Sequence, residues 1–233
     1  MKQIYSQLHG MLQKVAEALG DELLKQVVFV GGCTTALLIT DEITKEDVRY
    51  TDDVDLIIDV LGHTDWNNFQ NKLKDNGFTV SMDDSIICRM RLGELKVDFM
   101  PSDEKILGFS NRWYSKAIDT ASTFPLSNEI NIQLISPPYF LATKLEAYKG
   151  RGNDDPIGSH DIEDILNIVD GREELIDEVN AESAEFKQYI SSEIQSLLDN
   201  PGFQYAAESA AGISGREEVM FERLEALIDM KDQ

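Results

Sequence analysis

Val27-Val28-Phe29-Val30-Gly31-Gly32-Cys33-Thr34-Thr35, with the later run Arg49-Tyr50-Thr51-Asp52-Asp53-Val54-Asp55-Leu56-Ile57-Ile58, decides how the rest of the chain is read. The first four residues have the length and β-branched content of a short buried strand, and the glycine pair directly after them marks a turn. Residues 33–39 read as a first helix whose free amides follow the glycines. The second run puts acids at the head of another apolar strand. Side chains alternate along a strand, so Asp53 and Asp55 leave on one face while Val54 and Leu56 leave on the other. Two carboxylates then share a small volume, where like charges repel unless a cation neutralises them. Oxygen donors of this kind suit Mg²⁺, which takes one or two protein carboxylates and fills its shell with water and substrate phosphates. An Asp-x-Asp pair also occurs at solvated strand ends, so the preceding strand and glycines carry the metal reading.

Working outward, residues 78–80 and 86–90 read as strands, and a turn at Gly93-Glu94 leads into a third over 95–100. In that strand Leu95, Val97 and Phe99 face one way, and Lys96, Asp98 and Met100 the other. Taken alone, Asp98 is an edge acid reaching water. Beside the Asp53 strand it completes a set of three carboxylates of the kind used in two-metal phosphoryl transfer. Upstream, Ile4, Leu8, Met11, Leu12, Val15 and Leu19 recur at helical spacing and predict a helix ending near Gly20. Residues 41–47 form a charged loop delivering Arg49, which is placed either to contact a phosphate or to pair with Asp52 or Asp53. Asp65 caps a helix carrying Trp66, Phe69 and Leu73, stopped by Asn76-Gly77.

Beyond Pro101-Ser102 a helical stretch holds Ile106, Leu107, Trp113 and Tyr114, and Asn111-Arg112-Trp113-Tyr114 offers aromatics that pack in a core or stack a base. A strand over 130–135 leads to Ser136-Pro137-Pro138, which starts a helix ending at Gly150. Lys144 lies inside the apolar stripe of Phe140, Leu141, Leu145 and Tyr148. An inward lysine needs an anion, and a nucleoside triphosphate or an inward aspartate would serve. Ser159 begins a helix in which Asp161 shares a face with Ile165 and Ile168, in a position to hold Lys144, while Glu163 and Asp164 favour the first turn through the helix dipole.

The chain carries 43 acidic and 21 basic residues, a formal net charge of -22, in 233 residues. Such a balance repels phosphate backbones and anionic membranes, which argues against an extended nucleic-acid surface. From Gly171 to Gln233 there are 15 acidic and 5 basic residues, on amphipathic helices broken near Asn200-Pro201-Gly202 and between Gly212 and Gly215. Cys33 and Cys88 lack metal-ligand spacing and read as reduced thiols. The N-terminal residues lack a secretory pattern, and no apolar run approaches a membrane span. The expectation is a cytoplasmic protein.

On Phe29-Val30-Gly31-Gly32, the Arg49-x-Thr51-x-Asp53-x-Asp55 run, Val97-Asp98-Phe99, Leu141-Ala142-Thr143-Lys144-Leu145-Glu146-Ala147 and Ser159-His160-Asp161-Ile162-Glu163-Asp164, the chain resembles the DNA polymerase beta-like nucleotidyltransferase superfamily. Within it, the chain is most similar to AbiEii-type toxin nucleotidyltransferases. The resemblance spans residues 27–170. It implies an α+β fold, with a mixed β-sheet nucleotidyltransferase core flanked by helices over 1–135 and a C-terminal helical module over 136–233 contributing Lys144 and Asp161. It further implies that Asp53 and Asp55 hold Mg²⁺ and that Asp98 completes the site, as base for an acceptor hydroxyl. Gly31 and Gly32, helped by Thr34 or Thr35, would receive the phosphates of an NTP such as ATP, and Lys144 would contact phosphate with Asp161 near it. Many relatives have Ser after the first glycine, whereas Gly32 offers only its amide. The activity implied is transfer of a nucleoside monophosphate to a hydroxyl on a protein, an RNA end or a small molecule, as in the toxin of a toxin-antitoxin pair with its antitoxin partner. The acidic balance makes a large RNA the least attractive acceptor. A catalytically silent nucleotide-binding or protein-interaction module is the alternative.

Overall fold

The computed structural model describes residues 2–46, 48–60 and 62–230, without the side chains of 2, 3, 213 and 214. In chain order the helices are α1 (Lys2–Leu24), α2 (Thr35–Leu38), α3 (Glu42–Glu46), α4 (His63–Asp75), α5 (Glu104–Leu107), α6 (Tyr114–Asp119), α7 (Pro137–Arg151), α8 (His160–Gly171), α9 (Leu175–Asn180), α10 (Ala184–Leu198), α11 (Pro201–Ser214) and α12 (Glu217–Asp229). The strands are β1 (Val27–Val30), β2 (Asp53–Ile58), β3 (Arg89–Leu92), β4 (Leu95–Pro101), β5 (Ser122–Pro125) and β6 (Asn131–Leu134). They form one mixed sheet in the order β3-β4-β2-β1-β6-β5. This is an α+β fold, a mixed sheet flanked by helices and followed by C-terminal helices. The chain divides into two compact units, Met1–Thr34 with Arg49–Phe140, and Thr35–Val48 with Leu141–Gln233.

The first unit holds the sheet. β2 pairs in parallel with β4 so that Val54 lies beside Val97, Asp55 beside Asp98 and Leu56 beside Phe99. Val54, Leu56, Val97 and Phe99 are all fully buried. Phe99 meets Phe69 of α4 and Phe78 edge-on, at centroid separations of 5.8 and 5.4 Å. Period-two alternation therefore gives β2 and β4 one dry face, and their polar residues share the other. β3 returns antiparallel to β4 across Gly93-Glu94, which sets Arg91 beside Lys96 and Arg89 beside Asp98.

Several elements differ from the expectation. The helix read over 33–39 is a 3₁₀ turn, Gly32–Thr34, followed by the single turn of α2, because the Thr34 amide closes back on the Gly31 carbonyl three residues earlier at 3.0 Å. α1 runs on to Leu24 through non-helical geometry at Gly20. α4 starts before Asp65, with the Trp66 amide donating to the Gly62 carbonyl, so Asp65 sits inside the first turn. The strand expected over 86–90 is displaced to β3; Ile86 and Ile87 are exposed, and the Arg89 amide turns back to the Ile86 carbonyl. Residues 78–80 contribute one bridge, Thr79 to Arg91. The stretch expected around 106–114 is two short helices, α5 and α6, and β5 was not foreseen. The charged loop contains α3, and Asp47 lies outside the described residues.

The second unit is helical. Asp41 caps α3 by accepting from the Ile43 and Thr44 amides, which holds its carboxyl down at about 2, the Thr44 amide bond being the main cause. Arg216 bridges Asp41 and Asp170, each at 2.9 Å. Carbonyls at the end of α8 accept from arginines, Arg223 to Val169 and Asp170 and Arg216 to Asp170, an arrangement that satisfies orphan carbonyls with positive charge. Among the described residues no helix is long and apolar enough to cross a membrane.

Phe99→Ala should lower stability by about 3–5 kcal/mol, since a large aromatic leaves a cavity under two other rings. Urea unfolding followed by circular dichroism measures the loss.

Candidate active site

The acids come together. Asp53 and Asp55 are two residues apart on β2, and Asp98 is the lateral neighbour of Asp55 on β4. Each offers one carboxylate oxygen, and the three oxygens lie within 4.8 Å of one another. At that spacing, with an effective dielectric near 20, each pair of charges repels by roughly 3 kcal/mol. An all-oxygen donor set on two rigid strands fits a hard divalent cation such as Mg²⁺.

The protein supplies a counter-charge that sequence reasoning missed. Arg89 donates from Nε to Asp98 Oδ1 at 2.7 Å and from Nη2 to Asp98 Oδ2 at 2.8 Å, and Nη2 also reaches Asp53 Oδ2 at 3.2 Å. The Asp98 hydrogen bonds, opposed by burial and reinforced by the Asp53 charge, hold the guanidinium proton more firmly than usual. Thr51 steadies the remaining Asp53 oxygen, its hydroxyl donating to Oδ1 at 2.5 Å. Lys96 pairs with Asp52 at 2.6 Å and lowers its carboxyl from the usual range. A signal for Arg89 was present in the sequence: a two-residue turn at Gly93-Glu94 pairs Leu92 with Leu95, and counting back pairs Arg89 with Asp98.

Gly31 meets this cluster through its backbone. Its φ is +73°, and a Cβ there would lie 1.9 Å from Asp55 Oδ2. The glycine turn and the Asp55 carboxylate therefore pack directly against each other, which no side chain larger than hydrogen permits. Cys33 and Cys88 are both buried free thiols beside the acids. Burial first, then the Asp98 and Asp55 charges, pushes Cys88 up to about 12; burial, then Asp55 and Asp53, pushes Cys33 higher.

The other expected residues divide. Gly31 is half-buried and Gly32 buried at the strand end, and Arg49 is half-buried just ahead of β2. Thr34 and Thr35, expected to help receive phosphates, are both fully buried; Thr34 Oγ1 donates to the Gly31 carbonyl at 2.8 Å, and Thr35 Oγ1 donates to Asp164 at 3.1 Å. Their hydroxyls do structural work. Trp113 is buried edge-on to Tyr139 at 6.1 Å, with the Arg112 guanidinium over its ring, so of the two readings for 111–114 the core packing holds.

In the second unit, Lys144 is buried between two carboxylates, Asp164 at 2.6 Å and Asp161 at 3.3 Å. Of the two anions left open for it, the inward aspartate is present. Asp164, a first-turn acid by its place in the sequence, is fully buried. Its place three residues after Asp161 puts it on the same inward face, a periodicity that was available in the sequence. Arg151 adds two 2.8 Å bonds to Asp161. Burial raises the Asp161 carboxyl, but the Arg151 hydrogen bonds and the Lys144 charge outweigh it and hold the group below the ordinary carboxylate range.

No protein-family model and no curated protein matches the chain. Among solved structures it is similar to the crystal structure of JHP933 from Helicobacter pylori, at 10% identity and a TM-score of 0.48 over 98% of this chain and 92% of that one.

Gly31→Ala should destabilise the protein by more than Gly108→Ala, which also has positive φ but open space around it. The backbone cost is about 1–2 kcal/mol in each, and only at Gly31 must Asp55 move; paired urea titrations measure the difference. The lowered Asp161 contributes stability that is present above the unfolded carboxylate value near ~3.9 and lost as pH falls through the folded value. Asp161→Asn should accordingly be less stable at pH 7 and lose less stability on acidification below about pH 4, as followed by thermal melts across pH.

Proposed function

We propose that the chain is a Mg²⁺-dependent nucleotidyltransferase of the DNA polymerase beta-like superfamily, moving a nucleoside monophosphate from an NTP to an acceptor hydroxyl. The observation that carries the reading is the convergence of Asp53, Asp55 and Asp98 within 4.8 Å on neighbouring strands, with the Gly31 turn packed against Asp55. Arg89 offsets part of the negative charge gathered there, and an all-oxygen donor set of this kind suits a divalent cation. Mg²⁺ would be held by Asp53, Asp55 and Asp98, and when bound would supply charge stabilisation to the phosphoryl oxygens.

The chain's own residues do the rest. The backbone at Gly31 and Gly32 lies at the end of β1 beside the Asp55 carboxylate, where it would meet the phosphates. The acceptor oxygen bonds the α-phosphorus while the bond from that phosphorus to the pyrophosphate oxygen breaks, and the hydroxyl proton passes to the Asp98 carboxylate. Thr51 orients Asp53 by donating to its Oδ1, which helps fix the geometry that in-line transfer needs. The net charge of -22 favours a protein or small-molecule acceptor over a large RNA, and the toxin of a toxin-antitoxin pair, with an antitoxin as partner, fits such chemistry. Two buried free cysteines suit the reducing cytoplasm.

One observation favours a second reading. Arg89 already occupies both oxygens of Asp98, as expected of a silent nucleotide-binding or protein-interaction module whose acids are neutralised from within.

Incubation with each α-labelled NTP, Mg²⁺ and cell lysate should move label to an acceptor. Asp53→Asn should abolish transfer with an unchanged circular dichroism spectrum. NTP binding without label transfer would favour the silent nucleotide-binding reading, and absence of any NTP binding with Mg²⁺ in calorimetry would remove both and leave a protein-interaction module.

A further inference from the structure

Arg89 stands on the outer strand of the sheet, in the row formed by Arg89, Asp98 and Asp55 across β3, β4 and β2. Its neighbours on the same face have other partners: Arg91 forms two 2.7 Å bonds with Asp84, and Lys96 holds Asp52. Arg89 is instead turned onto Asp98 and Asp53, two of the three acids that would hold a cation. Its fork covers both Asp98 oxygens, so guanidinium and divalent cation are drawn to the same lone pairs. A guanidinium offers a phosphate the same paired N–H geometry that it offers a carboxylate. An arriving phosphate is therefore an alternative partner for Arg89, and its departure from Asp98 exposes the oxygens that a cation needs.

Resting on the divalent-cation site proposed above, we propose that Arg89 is a positioning residue that closes the acid cluster on itself and exchanges Asp98 for phosphate, so that phosphate and divalent cation bind cooperatively. The coupling is reciprocal, because each ligand removes the competitor of the other. Asp98 is also withheld as a proton acceptor until phosphate has arrived, which protects the cluster from idle chemistry.

The test is Mn²⁺ binding to the full chain, by electron paramagnetic resonance and by the rise in melting temperature, for the wild type, Arg89→Gln and Arg89→Lys, with and without inorganic phosphate. Arg89→Gln should bind Mn²⁺ about tenfold more tightly than the wild type, since a competing positive charge is gone. Arg89→Lys, which keeps the charge but makes a point contact, should fall between them. Phosphate should tighten Mn²⁺ binding to the wild type and leave Arg89→Gln unchanged. If Arg89→Gln unfolds without metal, recovery of its fold on adding Mn²⁺ supports the proposal, and failure of both variants to fold even with Mn²⁺ assigns Arg89 a purely structural role. Equal or weaker Mn²⁺ affinity in a folded Arg89→Gln, or no phosphate effect on the wild type, overturns the exchange and leaves the cation site standing. No Mn²⁺ binding by any form overturns both.

Discussion

Asp53, Asp55 and Asp98 repel one another across at most 4.8 Å, and the first unit holds them together because the opposite face of the same two strands is dry. Val54, Leu56, Val97 and Phe99 each contribute about 1.5–3 kcal/mol through burial, against roughly 3 kcal/mol of repulsion per acid pair at an effective dielectric near 20. A one-residue slip of either strand would part the β2 acids from Asp98 and expose that strand's two apolar side chains. The apolar face therefore locks the register, and the acid cluster follows from that register. Arg89 offsets much of the remaining strain by placing its guanidinium between two of the three carboxylates.

This arrangement ties local chemistry to a global constraint. Asp55 faces the Gly31 backbone so closely that the turn after β1 and the acid on β2 form one packed object. The same turn is closed by the Thr34 amide and hydroxyl, both on the Gly31 carbonyl.

The second unit solves a different problem. Lys144 lies in an apolar stripe, and a buried ammonium is costly without a paired and hydrogen-bonded anion. Asp164 and Asp161 provide two, and Thr35 and Arg151 complete the oxygens' needs. Such a network is stiff because each member is partnered. Losing one carboxylate would strand a charge in the interior.

The sequence by itself determined the periodic and local features: β1 and its glycines, alternation in β2 and β4, the inward phase of Lys144 and Asp161, the helix start at Ser159 and the helix break at Asn200-Pro201-Gly202. These depend on residues a few positions apart, and side-chain period suffices to read them. The short helix behind the glycines, the split of α5 and α6, and the shift of β3 were not legible, because each is set by a hydrogen bond whose alternatives have similar local propensity. Only the tertiary structure decided that β4 lies beside β2, that Asp98 meets Asp55, that Arg89 grips Asp98, and that Asp164 reaches Lys144 and Thr35. Those contacts join residues far apart in the chain, and their energies come from burial and from charges brought together only when the strands and helices have packed.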